Sequence, residues 1–259
     1  MRLTTLGDLL LDVIVSLDGA LVPGDDRMAT TSTGPGGQAA NVAAWAASLG
    51  ASSRFVGRVG DDAAGELLVR ELSERGVEVL GPVAGRSGVV VSIAAAGDRT
   101  MASDRGTAPE LTAQDLDPAW FDCDVLHVSG YSLLLDPIAS AAEAAAAHAR
   151  THDAQVSVDV STFTLVDDAF RERVRRIAPE LVFATEREQA ALGELDTRWI
   201  VKRGRDGIRV DGVDHPALAA DVVDTTGAGD ALAAGFLVGG AALGLQAAAR
   251  CCAKLGAMP

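Results

Sequence analysis

Seven residues, Asp224-Thr225-Thr226-Gly227-Ala228-Gly229-Asp230, carry the strongest chemical signal in the chain. The run Ala231–Leu237 after them has helix-forming composition, so this small-residue turn opens a helix. The first N–H groups of a helix have no partner within it and stand at the positive end of the helix dipole. Such a turn suits an anion, above all a phosphate. Side chains at 227 and 229 would keep an anion off the backbone, and both positions are glycine. Gly227, Ala228 and Gly229 are therefore a candidate anion cradle. Asp230 falls in the first helical turn, where a carboxylate can take a proton from an attacking hydroxyl as a phosphoryl group arrives. The same residues also suit an ordinary glycine turn with a capping aspartate.

A second constellation is Gly36-Gly37-Gln38-Ala39-Ala40-Asn41-Val42-Ala43. Two glycines before a helix let a ligand approach the backbone, and Asn41 offers a donor and acceptors to hydroxyl groups. A loop entering a helix with a solvent-facing asparagine would look alike. Asp12, near a strand end and preceded by Gly7-Asp8, can accept from two hydroxyls or cap a turn. Arg105, in Ser103-Asp104-Arg105-Gly106, could reach an acidic group on a substrate, or be satisfied locally by Asp104. His148 and His152 have the spacing of paired zinc ligands, but residue 149 is alanine and no third ligand is evident, so they read as a solvated helix face. The chain has no Gly-x4-Gly-Lys-Ser/Thr loop and no Gly-x-Gly-x-x-Gly after a strand, which argues against P-loop and dinucleotide enzymes.

Elements must hold these groups together. Short β-branched runs predict strands at Leu9–Val15, Phe55–Val59, Val89–Ala94, Val125–Val128, Val156–Val160, Leu181–Phe183, Trp199–Lys202 and Ile208–Val210. Helices are expected over Ala39–Leu49, Ala63–Arg75, Pro137–Thr151, Ala169–Ala178, Glu186–Leu192, Ala228–Leu237 and Leu245–Leu255. Asp61-Asp62 and Gly76 supply the caps of the second. This alternation predicts an α/β domain, with a mostly parallel sheet between helices. Two turn-rich stretches, 16–35 and 89–107, interrupt it and read as a small β lid, with turns at Pro23-Gly24 and Gly97-Asp98. No linker or repeat marks a second domain, so residues 1–259 read as one.

A net charge of −14 argues against nucleic acid or an anionic membrane surface as partner. The run Leu9–Leu17 contains Asp12 and reads as a buried strand; no stretch of about 18 uninterrupted apolar residues is expected to span a membrane. Three cysteines, Cys123, Cys251 and Cys252, suggest no disulfide framework and fit a reducing cytoplasm.

Gly36-Gly37, Asn41-Val42-Ala43 and Asp224–Asp230, with Gly57-Arg58-Val59-Gly60-Asp61-Asp62 between them, resemble the signatures of the ribokinase-like (PfkB) carbohydrate kinases, and the resemblance runs from Gly7 to Ala257. It implies a three-layer α/β/α fold and ATP-dependent phosphorylation of a sugar hydroxyl. Asp230 corresponds to the catalytic base, the Gly227–Gly229 backbone to an anion hole, and Asp12, Gly36, Gly37 and Asn41 to sugar contacts. Thr185, Lys202, Gly204, Gly207 and Thr225 fall at the nucleotide. Glu188 resembles the glutamate that organises Mg2+. Asp224 and Thr226 take positions that in many members help bind a monovalent cation, K+. Related kinases often pair two lids, which implies a homodimer. The chain departs from the pattern at Thr185, where asparagine is expected, and in the short segments Gln189–Arg203 and Arg205–Val223, which trim the adenine side. A nucleoside kinase, or a non-catalytic sugar- or nucleotide-binding relative, would share many of these features.

Overall fold

The computed structural model describes residues 1–95 and 98–259. In chain order they form β1 (Arg2–Leu6), β2 (Leu10–Leu17), β3 (Ala29–Gly36), α1 (Gln38–Ser48), β4 (Ser52–Val56), α2 (Ala63–Glu74) and β5 (Val77–Leu80). There follow β6 (Val89–Ala95), β7 (Asp98–Asp104), β8 (Val125–Ser129), α3 (Ile138–Arg150), β9 (Gln155–Asp159), α4 (Asp168–Ile177), β10 (Leu181–Thr185) and α5 (Glu186–Leu192). The last are β11 (Arg198–Lys202), β12 (Ile208–Val210), β13 (Val213–His215) and α6 (Ala228–Cys252).

Nine strands make one sheet in the order β13-β12-β11-β10-β9-β8-β1-β4-β5, and only β12 and β13 run antiparallel to their neighbours. Alternate residues feed opposite layers. Leu6, Val56, Leu126, Val128, Val156, Val158 and Val182 pack with α3 and α4. Leu3, Val125, Phe183, Ile200 and Ile208 pack with α1 and α6. The result is the expected three-layer α/β/α arrangement. Strand order reverses between β1 and β8, and ligands of such sheets bind beyond the strand C-termini at that point.

β1 and β5 went unrecognised in the sequence. Thr4-Thr5 makes β1 look polar, yet both residues are fully buried, their hydroxyls donating to Trp120 O and Arg54 O. β2 differs from expectation more sharply. It lies outside the main sheet, in a four-stranded sheet ordered β3-β2-β6-β7, and Leu11–Leu17 are only half-buried. This second sheet is the lid, so the lid includes a strand that the apolar run had suggested was core. Pro23-Gly24 is a turn, with Asp25 N donating to Val22 O at 3.2 Å; of the turn expected at Gly97-Asp98, Gly97 lies outside the described residues and Asp98 opens β7.

Asp62 caps α2 by accepting from Gly65 N at 2.8 Å, and Gly76 takes φ +82° after its last turn. Contrary to expectation, α6 is long and apolar enough to cross a membrane by composition, with a mean hydropathy of 1.6 over 18 residues. Gly239 and Gly240 leave helical geometry, however, and the helix doubles back there so that Gly235 lies against Leu243 and Gly244. The two shorter helices expected in this region are the two arms of that kinked helix.

Candidate active site

The N-terminus of α6 separates two cavities. Gly227 is its N-cap, at φ +74°, and a Cβ there would lie 2.5 Å from Ala257. The C-terminal segment backs the turn in further ways: Gly256 N donates to Asp224 Oδ2 at 3.1 Å, Cys251 Sγ to Thr226 O at 3.2 Å, and Trp45 Nε1 to Ala257 O at 2.8 Å. Asp224 Oδ1 also accepts from the Thr226 amide and hydroxyl. The turn is therefore fixed on its protein side, and Ala228 N closes it by donating to Thr225 O at 3.2 Å.

The first cavity, of about 400 Å³, lies under the lid. It is lined by Asp12 and Arg105 from the lid side, Gly37 and Asn41 from α1, and Thr226, Gly227 and Asp230 from α6. Asn41 Nδ2 donates to Asp230 Oδ2 at 2.7 Å, and Asn41 Oδ1 is buried with no hydrogen-bond partner among the described residues. Gly36 lies beside the cavity: a Cβ there would come within 2.2 Å of the Asp12 carboxyl. Gly37, at φ +99°, allows the entry to α1 to press against Asp8 O. Burial pushes the Asp230 carboxyl up to about 7; the Asn41 hydrogen bond opposes this, and the charge of Asp159 adds to it.

The second cavity, of about 530 Å³, is mostly apolar and lies on the other side of the turn. Lys202, Gly204 and Gly207 line it from the β11–β12 region, Ala217–Ala220 and Val222 from the shortened segment after β13, and Ala228, Gly229, Leu245 and Ala248 from α6. Thr225 is common to both cavities. Gly207, at φ +90°, has no room for a Cβ, which would fall 2.0 Å from His215 O. Lys202 Nζ donates to both carboxyl oxygens of Asp159 at 2.8 Å. Burial pulls the Lys202 pKa down, but Asp159, Glu188 and Asp230 outweigh it and hold it above the usual value.

Two expected groups differ from expectation. Thr185 and Glu188 line neither cavity. They cap α5 reciprocally, Thr185 N donating to Glu188 Oε2 at 2.7 Å and Glu188 N to Thr185 Oγ1 at 3.3 Å. Threonine at 185 is thus explained by capping, a task its hydroxyl performs well. Arg105 does not pair with Asp104, which is held by Arg86. It binds Asp8 instead, through Nε at 2.6 Å and Nη2 at 2.8 Å.

Sequence reasoning missed Asp8, Gln38 and Tyr131 as cavity residues. Gln38 Oε1 accepts from Ser129 and Ser161, which orients its amide, and Ser161 holds φ +74° to do so. Gln38 follows Gly36-Gly37 directly, and Asp8 follows the β1 end, so position relative to those landmarks was the available signal. His127 is fully buried and kept neutral, its pKa pushed down to about 4 by burial; Nδ1 meets Ser157 Oγ at 2.8 Å.

Residues 2–258 match the model of the pfkB family carbohydrate kinases. A fructokinase of Klebsiella pneumoniae is 30% identical, over 94% of this chain and 86% of that protein. An ATP-dependent ribose-1-phosphate kinase of Halopiger xanaduensis is 32% identical, over 78% of this chain and 72% of its own length. The crystal structure of adenosine kinase from Sinorhizobium meliloti superposes with a TM-score of 0.85 at 26% identity, covering 100% of this chain and 95% of that one.

Proposed function

This chain belongs to the pfkB family of carbohydrate kinases, and on that premise we propose that it transfers the γ-phosphoryl group of ATP to a hydroxyl of a sugar or sugar-like molecule. One observation carries the reading. A cavity holding Asp230, Asp12 and Asn41 and a more apolar cavity holding Lys202 meet at a single helix N-terminus, where they share Thr225. A hydroxyl in the first and a phosphate chain from the second would converge on that helix N-terminus, whose dipole favours the charge that builds up during transfer.

Asp230 is the proposed general base. Its carboxyl near pKa 7 suits a group that must accept a proton at neutral pH, and Asn41 orients it through Oδ2. Asp12 and Asn41 are assigned to sugar hydroxyls, with Gly36 and Gly37 giving them room. Lys202, Gly204, Gly207 and Thr225 are assigned to the nucleotide, whose adenine would fill the apolar cavity. Among the described residues, no group of three or more His, Cys, Asp or Glu could hold a metal alone. Mg2+ would therefore come with the phosphates, neutralise their charge, and be held through water by Glu188, whose buried carboxylate is close enough to raise Lys202. A K+ ion beside Asp224 and Thr226 belongs to the same reading; it would have to share oxygens that already accept from Gly256, Cys251 and Thr226 itself.

The adenosine kinase likeness favours a nucleoside substrate as a second reading. Among the described residues, Tyr131 is the one aromatic residue lining the Asp230 cavity, a poor platform for a base. A homodimer through the lid is supported by the half-buried row Val13, Val15, Val91 and Ile93, which alternates with the cavity-facing residues. Three free thiols support a reducing, cytoplasmic setting. The direct test measures ADP release from ATP across a panel of sugars, sugar acids and nucleosides. Sugar-dependent release is expected; release with no sugar, or only with nucleosides, would overturn the sugar assignment.

A further inference from the structure

The Asp8–Arg105 pair stands on the wall of the Asp230 cavity and is not explained by the chemistry above. Its geometry is a bidentate fork, with Asp8 5% and Arg105 15% exposed at the side chain. The Arg105 backbone is tightly held. Its carbonyl accepts from Ala108 N at 3.1 Å, and Gly88 approaches so closely that a Cβ there would lie 2.6 Å from the Arg105 carbonyl carbon. Nε and Nη2 are spent on Asp8, while Nη1 is buried with no partner among the described residues. A buried donor left unmade is costly, so a ligand acceptor that meets Nη1 gains affinity.

An arginine in a sugar pocket would ordinarily suggest a carboxylate or phosphate on the substrate. Here the charge is already matched. Drawing Arg105 toward a substrate anion would strand the Asp8 carboxylate in a buried position, a strongly unfavourable change. The carboxyl group of Asp230 lines the same cavity, which adds acidic rather than basic character beside the pair. A hydroxyl oxygen, by contrast, can accept from Nη1 without disturbing the pair.

Resting on the sugar-kinase reading and deepening it, we propose that Asp8 is a specificity-determining residue. It cancels the charge of Arg105, so the guanidinium offers the substrate one hydrogen bond through Nη1. The cavity therefore accepts neutral polyhydroxyl compounds and turns away sugar phosphates and sugar acids. Asp8 acts through Arg105 and is a positioning residue.

The test measures kcat/KM with ATP for fructose and ribose, against ribose 1-phosphate and a keto-deoxy sugar acid, in wild type, Asp8→Asn, Arg105→Gln and the double variant. Wild type should prefer a neutral sugar. Asp8→Asn should raise the anion-to-neutral ratio by at least about tenfold, the scale of removing one close buried charge. Arg105→Gln should lower that ratio, and the double variant should return it toward wild type. Preference of the wild type for an anion, or an unchanged ratio in both single variants, would overturn the proposal. If Asp8→Asn shows no cooperative melt, Arg105→Gln decides alone, a fall in the ratio supporting and constancy refuting. If wild type phosphorylates no sugar, the kinase reading fails separately, and calorimetric binding of fructose against the sugar acid still decides what the pair does.

Discussion

The two cavities on either side of the α6 N-terminus are built on opposite principles. The wall proposed for the sugar carries, beside apolar Leu10, Val90 and Met101, charged and amide groups that restrain one another: Asn41 on Asp230, Arg105 on Asp8, and two serines on Gln38. The wall proposed for the nucleotide is made mostly of alanine, glycine and branched aliphatic residues, with Lys202 and Arg205 as cations. Polar groups held in place discriminate between ligands, because a mismatch leaves a buried partner unmade. Apolar walls discriminate mainly by shape and tolerate change. Substrate identity should therefore be sensitive to single atoms on one side and to bulk on the other.

The largest effect should come from the group at the boundary. Asp230→Asn is expected to lower kcat by about 10²–10⁴-fold while the sugar Kd moves little, since a base acts chiefly in the transition state; calorimetry beside a steady-state assay would check it, and near-normal turnover would refute it. The same carboxyl predicts a pH limb. In the proposed mechanism ionised Asp230 is the active form, and with its carboxyl pushed up to about 7, kcat/KM should climb through pH 7 and level off above it. The sign for stability is opposite. A carboxyl raised above its unfolded value of 3.8 stabilises the fold at low pH, and that contribution is lost as pH rises toward 7. Thermal melts should accordingly show a Tm advantage of Asp230→Asn that grows between about pH 4 and 7.

Asp12→Ala comes next and probes the polar wall alone. Loss of a contact that leaves a partner unmade costs about 1–3 kcal/mol, so the sugar KM should rise by roughly 5- to 150-fold. The ATP KM should hardly change; an equal rise in both would erase the contrast between the cavities. Ala249 lines the apolar cavity beside Ala248, and Ala249→Phe tests that wall by filling space. Overpacking of about 1–2 kcal/mol would raise the ATP KM on the order of tenfold and leave sugar binding intact. The smallest effect expected is that of the monovalent cation. Because donors of this chain already engage the oxygens of Asp224 and Thr226, exchanging K+ for Na+ should alter kcat only slightly. Strong K+ activation would mean that the turn yields those oxygens to an ion.

Much of this was legible in the residues themselves. Helix boundaries followed from caps, as at Asp62 and Gly76, because capping is a local hydrogen-bonding requirement. The turn at 224–230 was legible because only small residues permit an anion at a helix N-terminus. Thr4-Thr5 hid β1 because their burial depends on Trp120 and Arg54 carbonyls that are close only in the fold. Leu10–Leu17 looked like core because an apolar run reports burial on some surface but not on which one.

What the order of residue types determined alone was the set of reactive groups and their local geometry: Asp230 in a first turn, Asn41 on a helix after two glycines, Lys202 at a strand end. Pairing was decided by the tertiary structure. Arg105 has Asp104 as its covalent neighbour, yet it bonds to Asp8, 97 residues away, because the lid folds back over the β1 end. Thr185 and Glu188 turned inward to cap their own helix. A charge answers to whatever the fold brings within about 3–4 Å, and that distance is not written in the spacing of residues along the chain.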